Sequence, residues 1–107
     1  MRYRVSLVES AERDLFELHL YVESNDSPER ADALLDRLER AVASLEKMPE
    51  RGHFPPELER IGIREYREIH FKPYRILYTI DGDVVTVHCI LDGRRDMQSL
   101  LEHRLLR

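Results

Sequence analysis

A chain of 107 residues, 42% hydrophobic and 36% charged, suits one domain spanning 1–107 that can bury a core without disulfides or metal. The single cysteine, Cys89, excludes a disulfide framework and a cysteine-based zinc site, and it makes the reducing cytosol the expected compartment. No run approaches the ~18 apolar residues of a membrane span, MRYRVSLVES is too short and polar for a signal peptide, and a net charge of −4 argues against a protein whose main task is gripping phosphates.

Residues 2–9, RYRVSLVE, alternate, with Tyr3, Val5 and Leu7 on one face, and predict a strand. Ser10 is placed to cap a helix that carries Ala11, Leu15, Leu18 and Val22 as one apolar stripe. The break at Ser24-Asn25-Asp26-Ser27 is followed by Pro28 at the first helical position, where proline is tolerated. The next helix is expected to run for five turns on Ala31, Leu34, Leu35, Leu38, Ala41, Val42, Leu45 and Met48, and to stop at Pro49. Two such helices joined by four residues predict an antiparallel hairpin.

Residues 49–63 hold three of the five prolines and two of the four glycines, and predict a surface loop with a short turn at Pro56–Arg60. Three strands are expected after it, at Arg64–Phe71, Tyr74–Ile80 and Asp83–Leu91. Lys72-Pro73 marks the first bend between them. Asp81-Gly82 marks a hairpin of the type I′ kind. Gly93 is expected to turn the chain sharply out of the last strand. Asp96 can cap a final helix with Met97, Leu100, Leu101 and Leu105 on its apolar side.

The fold class is therefore α+β in the order β-α-α-β-β-β-α, with a two-helix hairpin packed on a largely antiparallel sheet. The other sheet face needs the last helix, a partner or water to cover it.

Catalytic signatures are sparse. There is no Gly-rich phosphate loop, no G-x-S-x-G and no H-E-x-x-H. The five histidines, at 19, 53, 70, 88 and 103, show no metal-ligand spacing, so neither metal nor cofactor is expected. His88 reads as a satisfied core or edge histidine and His53 as solvated. A basic group is the remaining candidate. Arg67, Arg75 and Arg95 would converge if the three strands are neighbours, with Lys72 and Arg94 at the rim, and such a group can hold phosphate. Cross-strand pairing would account for Arg64 and Arg67 equally well.

The acidic excess is confined to the first part of the chain: residues 1–63 carry nine Lys/Arg against 14 Asp/Glu, residues 64–107 eight against seven. A nucleic acid would thus have to be met by a local patch, and the acidic part could face a basic partner.

Tyr66-Arg67, then Pro73-Tyr74-Arg75-Ile76-Leu77-Tyr78, the Asp-Gly hairpin, and Gly93-Arg94-Arg95-Asp96 together resemble the RelE/ParE superfamily of type II toxin–antitoxin modules. The resemblance spans nearly the whole chain. It implies a cytoplasmic toxin held in a hetero-oligomer by a cognate antitoxin, with either DNA gyrase or the ribosome and its mRNA as target. For a ribonuclease it implies roles for Arg67, Arg75 and Arg95. The second basic position of that branch falls on Ile69 and its tyrosine on Leu101, leaving His103 as a weak substitute for proton transfer. The expectation is therefore a gyrase inhibitor of the ParE kind without catalytic residues. Its target would be met by Arg75, Arg94 and Arg95, and its antitoxin by Leu15, Leu18, Val22, Leu34, Leu38 and Leu45. An mRNA endoribonuclease and an inactive member that only binds its antitoxin are the alternatives.

Overall fold

The computed structural model describes residues 2–106. Strand β1 (Arg4–Leu7) leads into helix α1 (Glu9–Asn25), which turns back into α2 (Pro28–Ala43). Two 3₁₀ turns (Ser44–Glu46 and Pro49–Arg51) and the one-turn helix α3 (Pro56–Glu59) cross to β2 (Arg67–Phe71). β3 (Tyr74–Asp81), β4 (Val84–Asp92) and α4 (Met97–Leu105) complete the chain.

Local signals set most of these boundaries. Ser27 accepts a hydrogen bond from the Arg30 amide at 3.1 Å with Pro28 next to it, so α2 starts where the sequence predicts. Asp96 caps α4 through the Ser99 amide at 3.2 Å. Ser10 does not cap α1; the helix begins at Glu9, two residues earlier than such a cap would set it, and Val8 stands at the N-cap without a side-chain bond. The α-helical geometry of α2 stops at Ala43, short of the expected five turns. A 3₁₀ turn then carries Leu45 into the core, fully buried.

The sheet order is β1-β4-β3-β2, antiparallel except for the parallel β1–β4 pair. Gly82 and Asp83 form the β3–β4 loop, and only Gly82 has positive φ, +61°. That is the type II′ pattern, with glycine at the first central position, rather than the expected type I′.

β4 carries a bulge. Tyr78 pairs with Val87 and Leu77 with Cys89, leaving His88 as the extra residue. The strand thereby shifts phase: Val85, Val87 and Ile90 face the helix hairpin, whereas Cys89 and Leu91 face the opposite side. β1 ends at Leu7 beside Val87, so the edge of β4 beyond it needs other partners. Asp14 of α1 accepts from the Ile90 amide at 3.0 Å, and Arg104 of α4 donates to the His88 carbonyl at 3.1 Å and to both oxygens of Asp14 at 3.0 Å. A side-chain ion pair thus serves the backbone where the neighbouring strand has run out.

Two cores result. Ala11, Leu15, Leu38, Val42 and Leu45 pack against Ile69, Ile76, Tyr78, Val85, Val87 and Ile90. On the other face Leu58, Met97 and Leu101 cover Leu77, Cys89 and Leu91. The last helix and α3 are therefore what covers the second face.

Candidate functional site

The expected arginine cluster is divided by the sheet. A two-residue bend at Lys72-Pro73 pairs His70 with Arg75. Arg67, three positions along β2, points to the other side. There it donates to the carbonyls of Gly52 at 2.9 Å and Glu50 at 3.3 Å and lies over the Phe54 ring, with 4.9 Å from guanidinium carbon to centroid. Arg64 stacks on the same ring and pairs with Glu59. Arg67 holds a loop against the sheet and does not join Arg75.

Arg75 sits on the α3 side with 11% of its side chain exposed. Its Nε donates to Glu68 Oε1 at 2.6 Å and one terminal nitrogen to Glu68 Oε2 at 3.0 Å. The terminal nitrogens also grip Glu57 at 2.6 and 2.8 Å. Glu68 is 1% exposed, and the hydrogen bond from Arg75 holds the Glu57 carboxyl below its usual range. These two carboxylates surround the guanidinium in the plane where an incoming phosphate would bind. A sequence search for basic residues does not anticipate this, because Glu57 reaches Arg75 from α3, 18 positions away.

Gly93 is small for a different reason from the one expected. Its φ is not positive; instead its amide bonds the Pro73 carbonyl at 2.8 Å. A Cβ here would stand 2.7 Å from Arg75 Cδ and 2.9 Å from that carbonyl oxygen. The glycine of the GRRD stretch is therefore part of the seat of Arg75. Arg94 folds back onto Asp92, with Nε at 3.0 Å and a terminal nitrogen at 2.7 Å. Arg95 is exposed, with a backbone bond to Asp92. Arg94 and Arg95 rim a cavity of about 410 Å³ that also meets Leu18, Tyr21, Asp14 and Glu17.

Of the residues expected at an antitoxin contact, Leu38 and Leu45 have essentially no exposed surface and Leu15 is 9% exposed. They form the floor under the hairpin. Leu18, Val22 and Leu34 are half-buried. The apolar surface that remains on α1 belongs to Phe16, Leu20 and Tyr21, which are 62%, 43% and 67% exposed. Beside it runs a groove of about 910 Å³ between the hairpin and β1, with Tyr3, Leu7, Leu35 and Val42 in its wall and Glu12, Glu39 and Glu46, together with Arg2 and Arg4, along it.

His88 donates or accepts at the Thr79 hydroxyl, 3.0 Å away, and meets Tyr66 edge-on; burial lowers its pKa. His53 is not merely solvated. Its backbone bridges Glu68, and its Nε2 lies 3.0 Å from Glu68 Oε2, beside His70. Leu101 is fully buried.

Residues 5–97 match the family model described as the ParE toxin of the type II toxin–antitoxin system parDE. The chain belongs to the ParE toxin family. Toxin ParE3 of Caulobacter vibrioides is 32% identical over 77 residues, covering 72% of this chain and 73% of that protein. The ParE assignment agrees with the fold. A chain of the chromosomal ParDE system from P. aeruginosa superposes with a TM-score of 0.70 at 15% identity, over 83% of this chain and 94% of that one. A chain of the RelBE2 toxin–antitoxin complex from Mycobacterium tuberculosis superposes with 0.58 at 25% identity, over 84% and 96%. Among the described residues no helix is long and apolar enough to cross a membrane.

Proposed function

We propose that this ParE-family toxin inhibits DNA gyrase by surface binding, without cutting RNA, and that a cognate antitoxin neutralises it. One observation carries the choice of target. Arg75 is the arginine that the resemblance would give to an RNA-cleaving site, and it is enclosed by Glu57 and Glu68. Leu101, buried, stands where that branch has its tyrosine. Neither phosphate capture nor proton transfer to a leaving oxygen is served by this pair. Of the arginines expected to meet a target, Arg95 and Arg94 are the exposed ones, at the mouth of the cavity against α1.

The experiment is a supercoiling assay with purified gyrase and purified toxin, run beside mapping of mRNA ends in induced cells. Supercoiling should be blocked, and Arg95→Ala should weaken the block without altering the melting temperature. Cuts within translated frames together with normal supercoiling would overturn the gyrase target.

The antitoxin contact is placed on Phe16, Leu20 and Tyr21 and along the adjoining groove. Within the groove Arg2 pairs with Glu46, and Arg4 pairs with Asp83, so Glu12 and Glu39 are the acidic side chains there that suit basic flanks on an amphipathic segment. At a thousandfold excess over Kd such a segment stabilises the toxin by about 4 kcal/mol, so the antitoxin's C-terminal tail alone should raise the melting temperature clearly. A rise given only by the antitoxin's DNA-binding part would place the contact elsewhere.

A further inference from the structure

Three side chains outside the arginine surface share one short stretch of sheet. Glu68 and His70 are two positions apart on β2 and so project from the same face. His53 faces Glu68 across an isolated antiparallel bridge, with the His53 amide on the Glu68 carbonyl at 3.1 Å and the reverse bond at 2.7 Å. The backbone thus delivers a histidine from the proline-rich segment to the same face, with no dependence on the spacing along the chain. His53 Nε2 is 3.0 Å and His70 Nε2 3.4 Å from Glu68 Oε2, and the three atoms lie within 4.8 Å of one another.

We propose that His53, Glu68 and His70 form a binding site for one divalent transition-metal ion of the zinc, cobalt or nickel kind. The chemistry of the donor set selects that class: two imidazole nitrogens and one carboxylate oxygen suit borderline cations, not the all-oxygen shells of calcium or magnesium. The spacing fits too. Ligand atoms ~2.0–2.1 Å from a tetrahedral ion stand about 3.3 Å apart, and Glu68 Oε2 lies 3.0 and 3.4 Å from the two imidazole nitrogens. Closing the two histidines on each other is then the remaining adjustment.

Charge favours the ion. Glu57, Glu68 and Arg75 form a group with two carboxylates and one guanidinium. The group is thus net negative, and Arg75 engages both oxygens of Glu68, at 2.6 and 3.0 Å. The imidazoles approach Oε2 as well, at 3.0 and 3.4 Å, and that side of the carboxylate is where the ion would sit. The support is of the kind metal sites have, with the carboxylate ligand itself held by a hydrogen-bonded partner. His53 and His70 are exposed, Glu68 is buried, and a cavity of about 430 Å³ borders all three, so an ion can enter and keep water in its open position. Occupancy would tether the proline-rich segment to β2 at its side chains as well as its backbone.

The test titrates the tag-free chain with Zn²⁺ by calorimetry and with Co²⁺ by visible absorption near pH 7.5. One ion per chain is expected. His53→Ala and His70→Ala should each weaken affinity at least tenfold. His19→Ala, which removes a histidine paired with Asp32 on the hairpin, should not. No saturable uptake by the wild type, or unchanged affinity in the His53/His70 double variant, would overturn the site. To cover variants that fail to fold, Co²⁺ added to the wild type should broaden the imidazole NMR signals of His53 and His70 first. If those two signals stay sharp while others broaden, the ion binds elsewhere and the proposal is wrong.

Discussion

Arg75→Met tests whether Arg75 is a structural counterion or a contact for the target. The substitution keeps the aliphatic stem and removes four hydrogen bonds to two carboxylates. Glu68, 1% exposed, is left without its guanidinium, and Glu57 loses the bond that lowers its pKa. Breaking a buried pair from one side costs about 3–5 kcal/mol. At a typical unfolding entropy, 1 kcal/mol moves the melting temperature of a domain this size by about 4–5 °C, so a fall of about 12–25 °C is expected. Differential scanning calorimetry reads it directly. Glu68→Gln in the same chain should recover about half of the loss, since a neutral amide no longer needs the cation. The pH dependence has a definite sign. A carboxyl held below its ordinary value of 4.5 contributes stability above that pH and loses it as the pH falls. The wild type should therefore show this acid-side loss and Arg75→Met should lack it. A drop under about 1 kcal/mol, well short of the cost of breaking a buried pair, or no recovery from Glu68→Gln, would refute the counterion role.

Gly93→Ala should destabilise by about 1–3 kcal/mol, because the added carbon meets the Pro73 carbonyl, which is backbone and cannot swing away; an unchanged urea midpoint would show that the seat of Arg75 is looser than described. His88, with its pKa lowered by burial, favours the folded state when neutral, so stability should be full above about pH 6.5 and fall as the pH drops through the lowered value. Subtracting a His88→Gln titration from that of the wild type isolates this component, and a difference rising toward acid would contradict the burial. Cys89, with its thiol pushed up to about 11 and no exposed surface, should resist a maleimide in the folded protein and react on unfolding; rapid labelling in the native state would show that α4 opens readily.

Elements with a local cause were legible in the sequence. Ser27-Pro28 and Asp96 each specify a helix start within a few residues, and the alternation of Tyr74, Ile76, Tyr78 and Ile80 specifies a face. The stop of α2 was hidden because Leu45 keeps the apolar period through a 3₁₀ turn. The type of the Asp-Gly hairpin was open because one shift of register moves glycine from the second central position to the first. The candidate site was less legible. Arg67 and Arg75 carry the right chemistry, but their faces depend on the length of the bend between them. Glu57 and His53 reach the sheet from the irregular segment, and no periodicity runs through it. The two-residue spacing of Glu68 and His70 on a predicted strand was the signal available for the histidine cluster.

The pairing of β1 with β4 has a consequence for how the chain acquires its structure. Arg4 finds its partner in Val84, so the first strand waits for about four-fifths of the sequence before it can be incorporated. Contacts of such separation are closed late and at an entropic cost that local turns do not carry. Until β3 and β4 exist, the helical hairpin has no sheet to lie on, and its apolar stripe faces water. A polypeptide interrupted anywhere before Val84 therefore has an orphan first strand and a hairpin without a floor. Premature termination late in the reading frame should abolish the toxin as completely as termination near its start.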